Sequence, residues 1–164
     1  MNDCFRRAEL QEVNAVVSLI KRRIQWMDEV GINQWNKCDY FMIFPMDYFR
    51  KQQSLGNLYV FSETGIKGAV VLLEDDPSWR DRTDSSALYI HNLVTDLNAP
   101  GVGKRIMACV EALAAKSGKR FLRLDCAADS TFLNSYYESL GFVPAGKCRI
   151  ASYEGTKREK RIKL

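Results

Sequence analysis

Apolar residues recur at three- and four-residue steps through Leu10, Val13, Val17, Ile20, Ile24 and Met27, which predicts a helix with one apolar face, stopped at Gly31. Ahead of it, CFRRA (4–8) is the length of a short strand. Behind it, residues 32–57 are aromatic-rich and irregular, with a short helix expected after Pro45. LYVFS (58–62) and KGAVVLLE (67–74) read as strands joined by ETGI, with Thr64-Gly65 as the hairpin turn. DDPSWRDRTDSSA (75–87) is polar and turn-like, a solvated loop rich in carboxylates. LYIHNLVT (88–95) resumes the strand pattern and leads to a helix over about Val102–Lys116, with Ile106, Val110 and Leu113 inward. RFLRLDC (120–126) is the next strand, and STFLNSYYESL (130–140) is a helix ending at Gly141. On that helix Leu133, Tyr136 and Leu140 form the apolar face, so Tyr136 is expected in the core and Tyr137 is freed from it. FVPAG and the stretches RIASYEG and KREKRIKL close as a hairpin, the last alternating with Ile162 and Leu164 as an edge strand would. A β-rich start, a βαβ middle and a β end predict one mixed α/β domain over residues 1–164, without repeats or linkers.

Composition narrows the function classes. The chain has 164 residues, 46% hydrophobic and 27% charged, which suits one soluble domain with a sizeable core. A net charge of +4 fits a small polyanionic ligand, and one short basic run (KREKR) does not make a nucleic-acid surface. Charges interrupt the first twenty residues, and no apolar run reaches the length of a membrane span, so neither a secretory leader nor a membrane partner is expected. The five cysteines are scattered and never form CxxC, and His91 is the single histidine; no metal site is expected, and reduced thiols point to the cytoplasm.

The chemistry concentrates in TDLNAPGVGKRIM (95–107), where Gly101 and Gly103 open a helix. Bare amides at a helix N-terminus hold phosphate well. An ATPase phosphate loop is excluded, because Asn98 and Arg105 stand where its first glycine and its Ser/Thr belong. A dinucleotide-binding βαβ unit is closer, with Asp125 ending the following strand. Against it, Ile106 occupies the third glycine position, and the loop from Val94 to Gly101 is too long to open directly off the strand.

The third reading is a pyrophosphate cradle for coenzyme A. Leu93-Val94 followed by Asn98-Ala99-Pro100-Gly101-Val102-Gly103 resembles the cofactor signature (Arg/Gln)-x-x-Gly-x-(Gly/Ala) of the GNAT superfamily of N-acetyltransferases, with Asn98 departing from Arg or Gln. LNSYYESLGF (133–142) resembles the helix-and-strand ending of the same family, and the strand LRLDC lies between the two motifs. The resemblance implies a mostly antiparallel central sheet of six or seven strands, about four flanking helices and a splayed parallel pair in the middle. It also implies acetyl transfer from acetyl-CoA to a primary amine of a small molecule or peptide, by direct attack in a ternary complex. A non-catalytic acyl-CoA-binding module is the alternative, and a homodimer is left open.

The resemblance implies roles for particular residues as well. Asn98, Gly101, Val102, Gly103, Lys104 and Arg105 would cradle the pyrophosphate, and Leu93 and Val94 would offer a backbone edge to the pantetheine. A main-chain N–H near Asn92 would polarise the thioester. Tyr137 would protonate the leaving thiolate, and Asn134 would hydrogen-bond the pantetheine. The general base stays open: the family's glutamate position falls on Leu88, while His91, Glu74, Asp125 and a water relay are alternatives. Cys126 is expected to be a packing thiol. Trp26, Trp35, Tyr40, Phe41, Phe44 and Tyr48 either shape the acceptor pocket or belong to the core.

Overall fold

Gly31, left-handed at φ 74°, accepts the end of a long first helix that its apolar stripe drives inward. That helix belongs to a computed structural model describing residues 4–82 and 86–163. In chain order the elements are β1 (Phe5–Arg7), α1 (Val13–Val30), α2 (Tyr40–Ile43), α3 (Met46–Ser54), β2 (Leu58–Glu63) and β3 (Gly65–Leu73). They continue with β4 (Ala87–Thr95), α4 (Val102–Lys116), β5 (Phe121–Ala127), α5 (Thr131–Ser139), β6 (Val143–Ile150) and β7 (Tyr153–Arg161). The strands form a seven-stranded sheet in the order β1-β2-β3-β4-β5-β7-β6. β1 with β2, β2 with β3, β5 with β7 and β6 with β7 pair antiparallel, whereas β4 and β5 pair parallel. That parallel ladder covers only Ala87–Tyr89 against Phe121–Arg123, although both strands run on beyond it. The mixed, mostly antiparallel sheet with a short parallel pair is the architecture that the family resemblance implies.

The described chain divides into two compact units, residues 1–72 with 91–110, and residues 73–90 with 111–164. The division falls inside β4 and inside α4 rather than at a linker.

In the first unit α1 packs on α3, and α3 on β2. Of the predicted stripe, Val13, Val17, Ile20 and Met27 are buried, joined by Val16 and Leu19, and Ile24 is half-buried, but Leu10 is 62% exposed because residues 10–12 form a 3-10 turn that does not continue the helical face. The Thr64-Gly65 hairpin forms, with Gly65 at φ 97°. Gly68 of β3 makes a close approach: a Cβ there would lie 2.6 Å from Ile106 Cδ1, 3.0 Å from the Val94 carbonyl and 3.2 Å from Val102 Cγ1.

The second unit has an unusual core. Trp79, Ala87, Tyr89 and Ala145 pack together, with Leu73 and Phe121 against them. The Arg123 guanidinium lies fully buried 5.1 Å from the Trp79 ring and 5.2 Å from that of Phe121, donating to Glu159 at 2.7 Å and to the Tyr89 hydroxyl at 3.2 Å. Two expectations are corrected here. The 75–82 segment is not simply solvated, since the 3-10 turn Pro77–Trp79 buries Trp79, and Asp76 caps that turn by accepting from the Ser78 amide; residues 83–85 of the loop lie outside the described residues. The KREKR run is not an edge strand either. β7 is paired on both sides, by β5 and β6, and Lys157 and Arg158 are buried. Lys157 donates to Asp81 at 2.7 Å and to the Ser78 carbonyl at 3.0 Å, so its charge faces a structural partner. β6, with Val143 and Ile150 exposed, takes the edge.

Candidate active site

The first unit carries the loop motif. Val94 is buried and Leu93 half-buried at the end of β4. The chain then turns through Asp96, whose carboxylate accepts from the Asn98 amide at 3.0 Å and whose carbonyl accepts from the Ala99 amide at 3.1 Å. Arg23 braces the entry by donating to the Thr95 carbonyl at 2.9 Å and to its hydroxyl at 3.0 Å. Gly101 then takes φ 83°, a conformation that suits a residue without Cβ, and α4 begins. The Val102 amide reaches the Ala99 carbonyl at 3.4 Å and the Arg105 amide reaches the Gly101 carbonyl at 3.2 Å. Between them, the Gly103 and Lys104 amides have no hydrogen-bond partner among the described residues, as the opening of a helix dictates. Those free donors, at the positive end of a fifteen-residue helix, are suited to an anion.

The side chains around the opening divide in their roles. Val102 is buried, and the exposed Asn98 and Lys104 side chains make no recorded bond among the described residues. Arg105 is committed elsewhere: its guanidinium pairs with Glu63 at 2.7 Å and covers the Phe61 ring at 4.5 Å.

Two turns of strand earlier, Asn92 has φ 52°, left-handed within β4. Only Ala151, in the β6–β7 turn, shares that property among described non-glycine residues. Such a conformation costs roughly 1–2 kcal/mol for a residue with a Cβ, least for asparagine, and it rotates the adjoining peptide groups out of the regular ladder. The side-chain amide is held at both ends: Nδ2 donates to the Tyr40 hydroxyl at 2.7 Å, and Oδ1 accepts from the Tyr48 hydroxyl at 3.0 Å. Neither contact is legible from sequence, where Tyr40 and Tyr48 appear only as members of an aromatic cluster. Of that cluster Tyr40 is buried, whereas Trp26, Trp35, Phe41, Phe44 and Tyr48 are half-buried. Trp35, Tyr40 and Phe41 also line an open groove of about 380 Å³, together with Asp28 and Asp39.

The second unit carries the helix motif. Ser130 caps α5 by accepting from the Leu133 amide at 3.3 Å. The expected division of the two tyrosines is reversed. Tyr137 is the buried residue of α5, meeting Phe142 edge-on at 5.8 Å, while Tyr136 is half-buried and stacks on the exposed Phe132. The reason is that Phe142, just past the left-handed Gly141, folds back under the helix on the Tyr137 side. The Tyr137 hydroxyl has no hydrogen-bond partner among the described residues. Burial, followed by the neighbouring Cys126, raises its pKa above the ordinary phenol value, so it remains protonated at neutral pH.

Asn134 shares that face, but its amide is engaged within the protein. Nδ2 donates to the carbonyls of Ser130 at 2.8 Å and Ala127 at 3.1 Å, and Oδ1 accepts from Arg158 Nε at 3.1 Å and from the Cys126 thiol at 3.6 Å. That accounts for both its donors and both acceptor lone pairs. Asn134 therefore ties α5 to β5 and β7 in this structure. Cys126 is buried with its thiol pKa raised by that burial, which suits a packing role.

The base alternatives are also engaged. Glu74 pairs with Lys119 at 2.9 Å, and Asp125 accepts from the Tyr153 hydroxyl at 2.7 Å. His91 is half-buried and has a partner of its own. All five cysteines are free, and among the described residues no group of three or more His, Cys, Asp or Glu is placed to hold a metal. No helix among the described residues is long and apolar enough to cross a membrane.

No protein-family model matches the chain. A curated relative, the uncharacterized N-acetyltransferase YesJ of Bacillus subtilis, is 28% identical over 145 residues, covering 82% of this chain and 78% of YesJ. Among solved structures, a GNAT-family acetyltransferase of Listeria monocytogenes superposes with a TM-score of 0.75 at 21% identity, covering 96% of this chain and 93% of its own. The PaiA N-acetyltransferase of Thermoplasma acidophilum, solved in complex with coenzyme A, does so with a TM-score of 0.70 at 15% identity, covering 96% and 97%. The fold is that of the GNAT acetyltransferases, the superfamily that the two sequence motifs resemble.

Proposed function

We propose that the protein transfers the acetyl group of acetyl-CoA to a primary amine of a small molecule or peptide, by direct attack in a ternary complex. The observation that carries this reading is the opening of α4, where left-handed Gly101 leads into Gly103 and Lys104 amides without partners among the described residues. Coenzyme A in the PaiA relative and the name of YesJ support it. Asn98, Gly101, Val102, Gly103, Lys104 and Arg105 form the pyrophosphate cradle, main-chain amides supplying most of the grip. Leu93 and Val94 present the backbone edge to the pantetheine. The main chain at Asn92 polarises the thioester carbonyl. In the reaction the amine nitrogen bonds to the carbonyl carbon, the carbon–sulfur bond breaks, the amine releases a proton to base or water, and Tyr137 gives its proton to the sulfur. Tyr137 suits that last role because its hydroxyl is neutral and makes no hydrogen bond among the described residues. Asn134 serves the site by anchoring α5 rather than through a free amide.

The carboxylates of Asp28 and Asp39 beside Trp35, Tyr40 and Phe41 favour an acceptor with a cationic or aromatic body in the groove they line. Calorimetry with acetyl-CoA tests the cosubstrate: heat with acetyl-CoA and none with NADH is expected, and the reverse overturns the reading. A panel of amines assayed for thiol release then separates an enzyme from a binding module. Replacing Tyr137 by Phe should lower kcat by about a hundredfold with little change in acetyl-CoA affinity. Unchanged turnover would remove Tyr137 from the reaction.

A further inference from the structure

Three aromatic residues at four-residue spacing, Tyr40, Phe44 and Tyr48, bracket the left-handed residue of β4. Phe44 packs 5.1 Å from Tyr40 and 5.0 Å from Tyr48, and so spaces the two phenols. Trp35 at 4.9 Å backs Tyr40, and Phe49 at 5.1 Å backs Tyr48. The phenols converge on one side chain, that of Asn92, one accepting from its amide nitrogen and the other donating to its amide oxygen. An asparagine amide gripped at both ends cannot follow the backbone back to an extended conformation without losing both bonds. Ala151, the other non-glycine residue with positive φ, sits in a hairpin turn where such a conformation is expected. Asn92 lies within a strand and has no such local cause.

We propose that Tyr40 and Tyr48 are positioning residues for acetyl transfer: by clamping the Asn92 amide they hold the left-handed backbone that aims the adjoining main-chain N–H at the thioester carbonyl. The inference rests on the acetyl-transfer reading above and adds the means by which this chain keeps its left-handed backbone at Asn92. Neither phenol exchanges a proton with substrate in this scheme. Tyr40 also forms a wall of the groove lined by Asp28, Trp35 and Phe41, so the clamp and the groove share a residue.

The test compares the wild type with Tyr40→Phe/Tyr48→Phe, and with the same pair carrying Asn92→Gly. The amide–Hα scalar coupling of Asn92 in the ligand-free protein reports its φ directly. In the double variant it should move from the left-handed toward the extended value. The infrared carbonyl stretch of bound acetyl-CoA labelled with 13C at the carbonyl should then shift back toward its frequency in water, with the dissociation constant within about twofold of the wild type. Loss of an aligned donor lowers kcat by about a hundredfold to a thousandfold. Asn92→Gly, which adopts positive φ without a clamp, should restore most of the lost kcat in the double-Phe background. Unchanged coupling and stretch in the double variant would overturn the clamp, as would a loss of kcat that glycine does not repair. If the wild type binds acetyl-CoA with no displaced stretch, the polarising role at Asn92 fails; if it binds none, the acetyl-transfer reading itself fails, and the coupling still reports whether the clamp holds the backbone.

Discussion

Replacing Gly68 by alanine should loosen the opening of α4 from behind. The new methyl would lie 2.6 Å from Ile106 Cδ1, 3.0 Å from the Val94 carbonyl oxygen and 3.2 Å from Val102 Cγ1. Ile106 can swing its terminal methyl, but it is 0% exposed and has little space to enter, and the Val94 oxygen is main chain. The relief therefore comes from moving the first turn of α4 away from β3, together with the end of β4. Overpacking of this kind costs about 1–3 kcal/mol. Alanine in a strand regains about 0.5–1 kcal/mol of the entropy that glycine loses on folding. The net loss is then about 0–2.5 kcal/mol, which for a chain of this size lowers Tm by up to about 10 °C. Acetyl-CoA affinity should fall as well, because Val102 and Ile106 carry the turn that presents the Gly103 and Lys104 amides. Thermal unfolding and calorimetry on Gly68→Ala measure the two effects. Gly65→Ala is the control, since Gly65 has φ 97° and nothing within 4 Å of a Cβ: strain without steric conflict. A Gly68→Ala protein with wild-type Tm and wild-type affinity would refute the packing argument.

Three further outcomes follow from the same structure. Gly103→Glu should abolish acetyl-CoA binding by placing bulk and a negative charge where the cradle receives phosphate, and retained affinity in calorimetry would move the phosphates elsewhere. Glu159→Ala should remove the Glu159 carboxylate from the fully buried Arg123 guanidinium and destabilise the fold by about 3 kcal/mol, lowering Tm by about 6–12 °C, with acetyl-CoA affinity unchanged. Burial, aided by Asp125 and Asp76 and opposed by Lys157, pushes the Cys148 thiol from 9.0 up to about 12. Its folded pKa is the higher one, so its contribution to stability is complete below pH 9 and is lost as pH rises toward 12; alkylation of Cys148 should correspondingly stay slow through pH 9–10, and an inflection near 9 would contradict this.

What the sequence determined was periodic or local. The stripe from Val13 to Met27, the hairpin at Gly65 and the span of α4 follow from spacing, because a helix or hairpin that buries one face records that face in its residue order. The glycine loop was legible for the same reason: free amides and a left-handed residue are properties of the few residues that make them. Tertiary structure decided what depends on residues distant along the chain. Whether Tyr136 or Tyr137 enters the core was settled by Phe142 returning beneath α5. Whether KREKR is an edge or an interior strand was settled by β7 pairing with both β5 and β6, and the ionic partners of Lys157 and Arg123 followed from that placement. The clamp on Asn92 joins positions 44 and 52 residues apart, and no local pattern encodes a hydrogen bond that exists only once those segments meet.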